Sequence, residues 1–458
     1  MLTRGWRLDI TLILPTVQRD HGGARPASRH QLQWASVRVG FVNQPIDRVL
    51  PPVQTSVGAC TYGLARSLAS SDDDVIVYAR NGADTLRTDR GDLVEDGVRY
   101  RFIDGSILDR ALQRASPALR ATARIANRGV PRPASASPLS WPQYGRRVAA
   151  AVADDAVDVV ALQHFAPYAP MIRRAHRRVP IVLHLHAELY PQSLSRTLLR
   201  SLQDVDVLAG VSDCITRRTQ QLFPSLAERC ATVHDGIDPA DFPVGREHTA
   251  GGARLLYVGA VSPHKGVHDL ISAFEIAAAT HLDVTLEIVG PLWTYPMEEN
   301  FPLADRAAVA RLQPLYAGDY VARLRQQVPP ALAARVTFAG TLSRADLLRR
   351  YQEADIFVFP SIWDEGFGLP PVEAMAAGLP VIATRSGAVV ETVVDGETGV
   401  LVDKGDVTAL GHAISSLLDD DRARSELGRG GRERVMRSFT WDHAASEARD
   451  VYRTLAPV

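Results

Sequence analysis

Two glutamates eight residues apart, Glu365 and Glu373, stand in a stretch whose other residues are suited to holding an anion. The stretch reads as a strand over Ile356–Phe359, a loop with Gly366 and Gly368, and a short helix begun by Pro370 and Pro371 and closed by Gly378. Proline is favoured in a first helical turn, and glycine just past the last one. Glycines ahead of a helix let backbone N–H groups approach an anion, and the helix dipole favours negative charge there. Phosphate is the expected anion. Glu365 in the loop and Glu373 in the first helical turn are both placed to face a cleft, where carboxylates bind sugar hydroxyls. The same residues also suit a plain strand–turn–helix with a dipole-favoured glutamate, so this geometry leaves both readings open.

Lys265 is the second chemical candidate. The run Tyr257-Val-Gly-Ala-Val-Ser-Pro-His-Lys-Gly-Val267 follows a strand and opens a helix. A lysine in that loop is a compact point charge for a phosphate. Of the 51 basic residues only Lys265 and Lys404 are lysines. Codon bias explains so arginine-rich a chain, and a lysine at a helix start also arises by chance; the other reading is that Lys265 stands where a guanidinium would be too large. No GxGxxG follows either first strand, which speaks against a dinucleotide oxidoreductase.

These residues need elements to hold them. Apolar runs of strand length fall at 37–42, 75–78, 157–162, 181–185 and 205–211, with helical stretches such as 59–69 and 143–152 between them. Continuous apolar strands separated by helices predict a parallel sheet covered on both faces. The alternation breaks over 241–252, which reads as a linker, and restarts at 254–258, 284–289, 336–338, 356–359, 381–383 and 399–402. The expected class is α/β: two Rossmann-like, doubly wound domains facing a cleft, with ligands at the carboxyl ends of the strands. The expected division is an appended, disordered extension over 1–36, a first domain over 37–240, the linker, a second domain over 253–440, and a final helix over 441–458 crossing back. Residues 291–330 are long for a βα connection and carry Trp293, Tyr295, Tyr316 and Tyr320, which suggests a lid or a loop for a second substrate.

Composition sets outer limits. The 46% hydrophobic and 22% charged content is that of a globular chain and excludes global disorder. A net charge of −1 leaves no bulk field for nucleic acid. Cys60, Cys214 and Cys230 form no CxxC, which argues against a disulfide scaffold or structural zinc and fits a reducing, cytoplasmic setting. No apolar run reaches the ~18–20 residues of a membrane span, and the stretch 8–17 does not read as a signal peptide. One basic feature stands out: Arg120, Arg124 and Arg128 share a helical face within an acid-free stretch from Arg110 to Arg147. It fits a solvated surface or a peripheral contact with anionic membrane.

Glu365 and Glu373, within Glu-Gly-Phe-Gly-Leu-Pro-Pro-Val-Glu-Ala-Met-Ala-Ala-Gly, resemble the EX7E signature of retaining family 4 glycosyltransferases of the GT-B fold. Val258-Gly259…Ser262-Pro263…Lys265-Gly266 is similar to that family's phosphate-binding loop, and Gly236-Ile237-Asp238 to the start of its linker. The resemblance covers about 37–455 and is strongest after 230. It implies that Glu373 binds the donor ribose. Glu365, with the amides around Gly366, Phe367 and Gly368, would hold the donor sugar and phosphate. Lys265 would neutralise the leaving diphosphate. The loop Gly340–Leu342 would meet the base. His186 would stand near the donor sugar, and Gly58 would match the glycine-rich loop after the first strand. His164 and Trp293 are candidates on the acceptor side. The chain departs from the family at Ala260, where an arginine is usual, at Asp235, where asparagine is usual, and at Ser56-Val57-Gly58, which lacks the double glycine.

The implied activity is transfer of a sugar from a nucleotide diphosphate sugar to a glycan, lipid-linked or small-molecule acceptor of the cell envelope. No cofactor or metal is required, and nucleic acid is not a partner. His184 and His186 share a strand face, but no third metal ligand stands near them in sequence. Two other readings compete: a sugar-nucleotide epimerase of the same architecture, and a silent nucleotide-sugar-binding protein, favoured only by Ala260.

Overall fold

The computed structural model describes residues 36–51, 55–80, 92–112, 114, 141–189, 196–244, 252–292 and 306–455. The first sheet contains β1 (Arg38–Val42), β2 (Asp74–Arg80), β3 (Leu93–Glu95), β4 (Val98–Ile103), β5 (Val159–Gln163), β6 (Ile181–Leu185), β7 (Val207–Gly210) and β8 (Cys230–Thr232). Their order is β3-β4-β2-β1-β5-β6-β7-β8, parallel except for the edge pair β3–β4. The runs read as strands from the sequence are the central ones, buried along their lengths. Strands β3, β4 and β8 escape that reading for a physical reason. In β4 the buried Val98 and Tyr100 alternate with Arg99 and Arg101, whose guanidiniums reach Asp155 at 3.5 and 2.6 Å. Strands with one face turned to polar surroundings show no continuous apolar run.

The second sheet contains β9 (Arg254–Val258), β10 (Thr285–Val289), β11 (Val336–Gly340), β12 (Ile356–Phe359), β13 (Val381–Thr384) and β14 (Gly399–Val402). Its order, β11-β10-β9-β12-β13-β14, is 3-2-1-4-5-6 within the domain and parallel throughout. This is the doubly wound order in which strands 1 and 4 diverge and leave a crevice at their carboxyl ends. The loops after β9 and β12 are those carrying Lys265 and Glu365.

The final helix, Trp441–Leu455, returns to the first domain. Its buried Ala444, Ala445, Ala448 and Tyr452 join a core with Val39, Leu64, Leu68 and Val77. Asp442 accepts from Ser67 (2.6 Å), and Arg449 donates to Asp73 (2.7 Å). The outgoing and returning chains run side by side: Ile237 N–H donates to Phe439 O and Trp441 N–H to Ile237 O. The extension over 1–35 and linker residues 245–251 lie outside the described residues.

Candidate active site

The short helical turn Pro263–Lys265 ends at Gly266, whose backbone is left-handed (φ 72°) and starts the helix Val267–Ala278. A Cβ at Gly266 would lie 2.0 Å from the Pro360 carbonyl oxygen, so glycine lets the loop after β9 lie against the loop after β12. That approach brings Lys265 Nζ to both carboxylate oxygens of Glu365, at 2.7 and 2.8 Å. Ser361 Oγ donates to Glu365 Oε1 at 2.6 Å. Glu365 is buried, and the lysine and glutamate side chains are only 20% and 10% exposed. The pair is therefore a desolvated one at the crevice of the second sheet.

The neighbouring acid is paired as well. Asp364 accepts from Lys404 Nζ at 2.6 Å and from Arg218 at 2.9 Å, and these cations outweigh burial to hold its carboxyl below the usual range. Both lysines of the chain thus close on two adjacent acids of one loop. Sequence reasoning singled out Lys404 only by its scarcity.

Gly366 meets the first domain. A Cβ there would lie 2.5 Å from the His186 carbonyl oxygen, and Ser212 Oγ donates to Gly366 O at 2.7 Å. Phe367 is buried in the seam against Phe439 and His234, with ring centroids 5.6 and 6.5 Å apart, so its backbone and not its ring is what a ligand would meet. Gly368 (φ 90°) caps the helix Leu369–Ala376, with Pro370 and Pro371 in its first turn as expected. Glu373 is the fifth residue of that helix, not in its first turn. It faces a different set of partners from Glu365: Tyr351 Oη donates to Oε2 at 2.8 Å and Arg344 to Oε1 at 3.0 Å. Arg344 also reaches Asp241 of the linker at 3.3 Å. Leu342, two residues earlier, is half-buried on the second domain's core. Neither Arg344 nor Tyr351 carried a sequence signal, because only the fold puts them beside Glu373.

His186 stands just past the end of β6, with its ring nitrogen Nε2 2.8 Å from Gln163 Oε1. His164 (φ 53°) accepts from the His186 backbone N–H at 3.3 Å. Burial and the neighbouring His186 push His164 down to about 4, so it is neutral at pH 7. His184 points elsewhere: it bonds Tyr452 of the final helix at 2.8 Å, and burial takes it down to about 3. His184 in β6 and His186 just after it do not converge. Gly58 is not in a loop but in the first turn of the helix Ser56–Ala69. The Arg48 carbonyl oxygen occupies the place of its missing Cβ, 1.9 Å from where one would stand. Thr55, which caps that helix, donates to the buried Asp47 at 3.1 Å. Burial lifts Asp47 to about 6, partly offset by hydrogen bonds from Thr55 and Gln44. Asp47 had no sequence signal.

The insertion is a buttress where it is described. Tyr320 is buried and bonds His268 at 2.9 Å, and Tyr316 bonds His264 at 2.7 Å with parallel rings. Trp293 and Tyr295 lie outside the described residues, as does the arginine face of Arg120, Arg124 and Arg128. Among the described residues, no helix is long and apolar enough to cross a membrane.

Two Rossmann-like domains, each built on a largely parallel sheet, with a final helix returning to the first, form the GT-B architecture. Comparison with known proteins agrees. Residues 57–241 match the model of Glycosyltransferase Family 4, and residues 245–434 that of Glycosyl transferases group 1. Glycogen synthase of Mycobacterium tuberculosis is 31% identical over 427 residues, spanning 88% of this chain and 92% of that protein. D-inositol 3-phosphate glycosyltransferase of Corynebacterium diphtheriae is 43% identical over 121 residues, 26% of this chain and 28% of its own. Among solved structures, sucrose-phosphate synthase from Thermosynechococcus elongatus superposes with a TM-score of 0.66 at 21% identity, covering 92% of this chain and 99% of its own. Anabaena HepE in complex with UDP superposes with a TM-score of 0.65 at 19% identity, covering 91% and 100%. The chain belongs to the group 1 and family 4 glycosyltransferases, and is a glycosyltransferase of the GT-B type.

Proposed function

We propose that the chain transfers a sugar, with retention of anomeric configuration, from a nucleotide diphosphate sugar to a hydroxyl of a glycan, lipid-linked or small-molecule acceptor. The observation that carries this reading is the Lys265–Glu365 pair at the switch point of the second sheet. Cleavage of the sugar–phosphate bond places negative charge on the leaving diphosphate. Lys265 and the amides of residues 366–368 receive that charge, and fixed donors stabilise it more in the transition state than in the ground state. Lys265 turns part of its contact from Glu365 to the diphosphate, and Glu365 takes up hydroxyls of the donor sugar. His186 lies across the seam against the sugar. Glu373 binds the ribose and the Gly340–Leu342 loop the base. The leaving phosphate accepts the acceptor's proton on the same face, so no side chain is assigned as base. Charge neutralisation rests on Lys265 and backbone amides, and the scheme requires no metal ion. HepE is solved with UDP and with UDP-glucose, which supports a donor of this class. We place the reaction in the cytoplasm, on an envelope intermediate, with Arg120, Arg124 and Arg128 as candidates for a peripheral contact with anionic membrane.

The test is thermal unfolding against a panel of nucleotides and nucleotide sugars. A ligand at 100 times its Kd adds about 2.7 kcal/mol, which moves the midpoint by a few degrees in a chain of this size. A shift confined to one nucleoside diphosphate series is expected and names the base. No shift with any member would overturn the donor assignment.

A further inference from the structure

Cys60 lies on the helix Ser56–Ala69, His186 follows β6, and Asp235 precedes the linker. Far apart in sequence, they converge: Cys60 Sγ, a ring nitrogen of His186 and a carboxylate oxygen of Asp235 all lie within 4.8 Å of one another. Cys60 is 4% exposed, Asp235 8%, and the His186 side chain 10%. The His186 ring is oriented from its far side. Gln163 turns its amide nitrogen to the Ala161 carbonyl (3.4 Å) and its oxygen to His186 Nε2 (2.8 Å). In the neutral ring the proton then sits on Nε2, and Nδ1 presents its lone pair to the cluster. Nδ1 is buried and has no hydrogen-bond partner. The group facing it, at 3.7 Å, is Asp235 Oδ2, another acceptor. The Cys60 thiol hydrogen-bonds Asp235, which leaves His186 Nδ1 as the buried acceptor of the cluster without a donor, an unfavourable state that a bound cation would relieve.

We propose that Cys60 Sγ, His186 Nδ1 and Asp235 form a three-ligand site for a zinc-class divalent cation. Thiolate, imidazole and carboxylate are the ligand types that zinc takes, with a fourth position left for water. Two bonds of ~2.0–2.1 Å at a tetrahedral angle subtend an edge of about 3.4 Å, close to the 3.7 Å already present. The Gln163 carbonyl holding Nε2–H is the outer partner that metal-bound histidines use to fix the tautomer. On binding, Cys60 loses its proton to solvent and its sulfur lone pair forms the bond to the cation. Asp235 supplies the anionic oxygen. Resting on the transfer reading above, the site has a consequence: the cation immobilises His186 and inhibits transfer.

The experiment uses the full chain stripped of metal by a chelator. Zn²⁺ is titrated by calorimetry, and Co²⁺ serves as a spectroscopic probe of the thiolate. One equivalent of each is expected, with a sulfur-to-cobalt charge-transfer band that C60S abolishes. The near-isosteric D235N, which keeps the packing, is expected to bind at least about tenfold more weakly, with thermal midpoints confirming that both variants fold. No band, or Zn²⁺ bound equally by the parent and both variants, overturns the proposal. A separate arm follows transfer: Zn²⁺ is expected to inhibit the parent, chelator to restore it, and C60S to resist. Stoichiometric binding without inhibition would keep the metal site and overturn the place given to His186 in transfer.

Discussion

Lys265 and Glu365 neutralise one another in a pocket that excludes most water, so removing either charge strands the other. Breaking such a pair by one substitution costs ~3–5 kcal/mol, whereas replacing both partners is often close to neutral. This separates stability from turnover. K265A is expected to lower both the thermal midpoint and kcat, the latter on the order of 10²–10³-fold, as for loss of one transition-state donor. The double variant K265M/E365Q is expected to recover the midpoint but not the turnover. Recovery of turnover would show that the pair is a structural bridge. Gly266 is the second residue-scale case. Alanine there meets both a left-handed backbone and the Pro360 carbonyl. The backbone alone costs ~1–2 kcal/mol, so G266A is expected to lose more than that in chemical denaturation and to raise the KM for donor.

At the scale of elements, a titrating pair ties the final helix to the segment after β8. Glu447 accepts the His234 backbone N–H at 2.8 Å and bonds the ring at 2.9 Å. Burial opposes the charged form of His234, but the hydrogen bond and charge of Glu447 lift it above the ordinary imidazole range. Burial likewise opposes charge on Glu447, and His234 holds it below the ordinary carboxylate range. The histidine contribution is full below about 6.5 and is lost as pH rises through the higher folded value. The glutamate contribution is full above about 4.3 and is lost as pH falls through the lower folded value. Docking of the helix is therefore strongest between about pH 4.3 and 6.5. E447Q is expected to flatten the thermal midpoint across that window and on both sides of it, and an unchanged pH profile would dismiss the pair. The same helix starts with Trp441 over Gly63, where a Cβ would lie 2.1 Å from the indole. G63A is expected to destabilise the chain by ~1–3 kcal/mol through overpacking, read by denaturant unfolding.

Ion pairs and hydrogen bonds join the two sheet domains beside the Phe367 contact. Arg218 reaches Glu188 at 2.5 Å in the first domain and Asp364 at 2.9 Å in the second. Arg217 pairs with Glu391 at 2.6 Å, and Ser212 bonds the Gly366 carbonyl. The segment that holds Lys404 and Glu365 in place is thus also the one gripped from across the cleft. R218M is expected to increase the radius of gyration in small-angle scattering and to weaken donor binding, with the fold of each domain retained by circular dichroism. Unchanged scattering would mean that the Ser212 and Arg217 contacts suffice.

Much of this is legible in the sequence. The central strands, the two-domain division of the sheets and the loops at Lys265 and Glu365 follow from apolar periodicity, prolines and glycines, which act over a few residues. What the sequence by itself determined is the chemical inventory: two anion-suited loops, two scarce lysines and a pair of glutamates eight apart. The tertiary structure alone decided who meets whom. It separated Glu365 from Glu373, giving one to Lys265 and the other to Arg344 and Tyr351. It placed Gly58 inside a helix, turned Tyr316 and Tyr320 inwards, and sent His184 to Tyr452. It also gathered Cys60, His186 and Asp235, which no local pattern joins. The reason is range. Periodicity and turn chemistry act between near neighbours in the chain, whereas desolvated charges and lone pairs find partners through strand order, which places residues a hundred apart side by side.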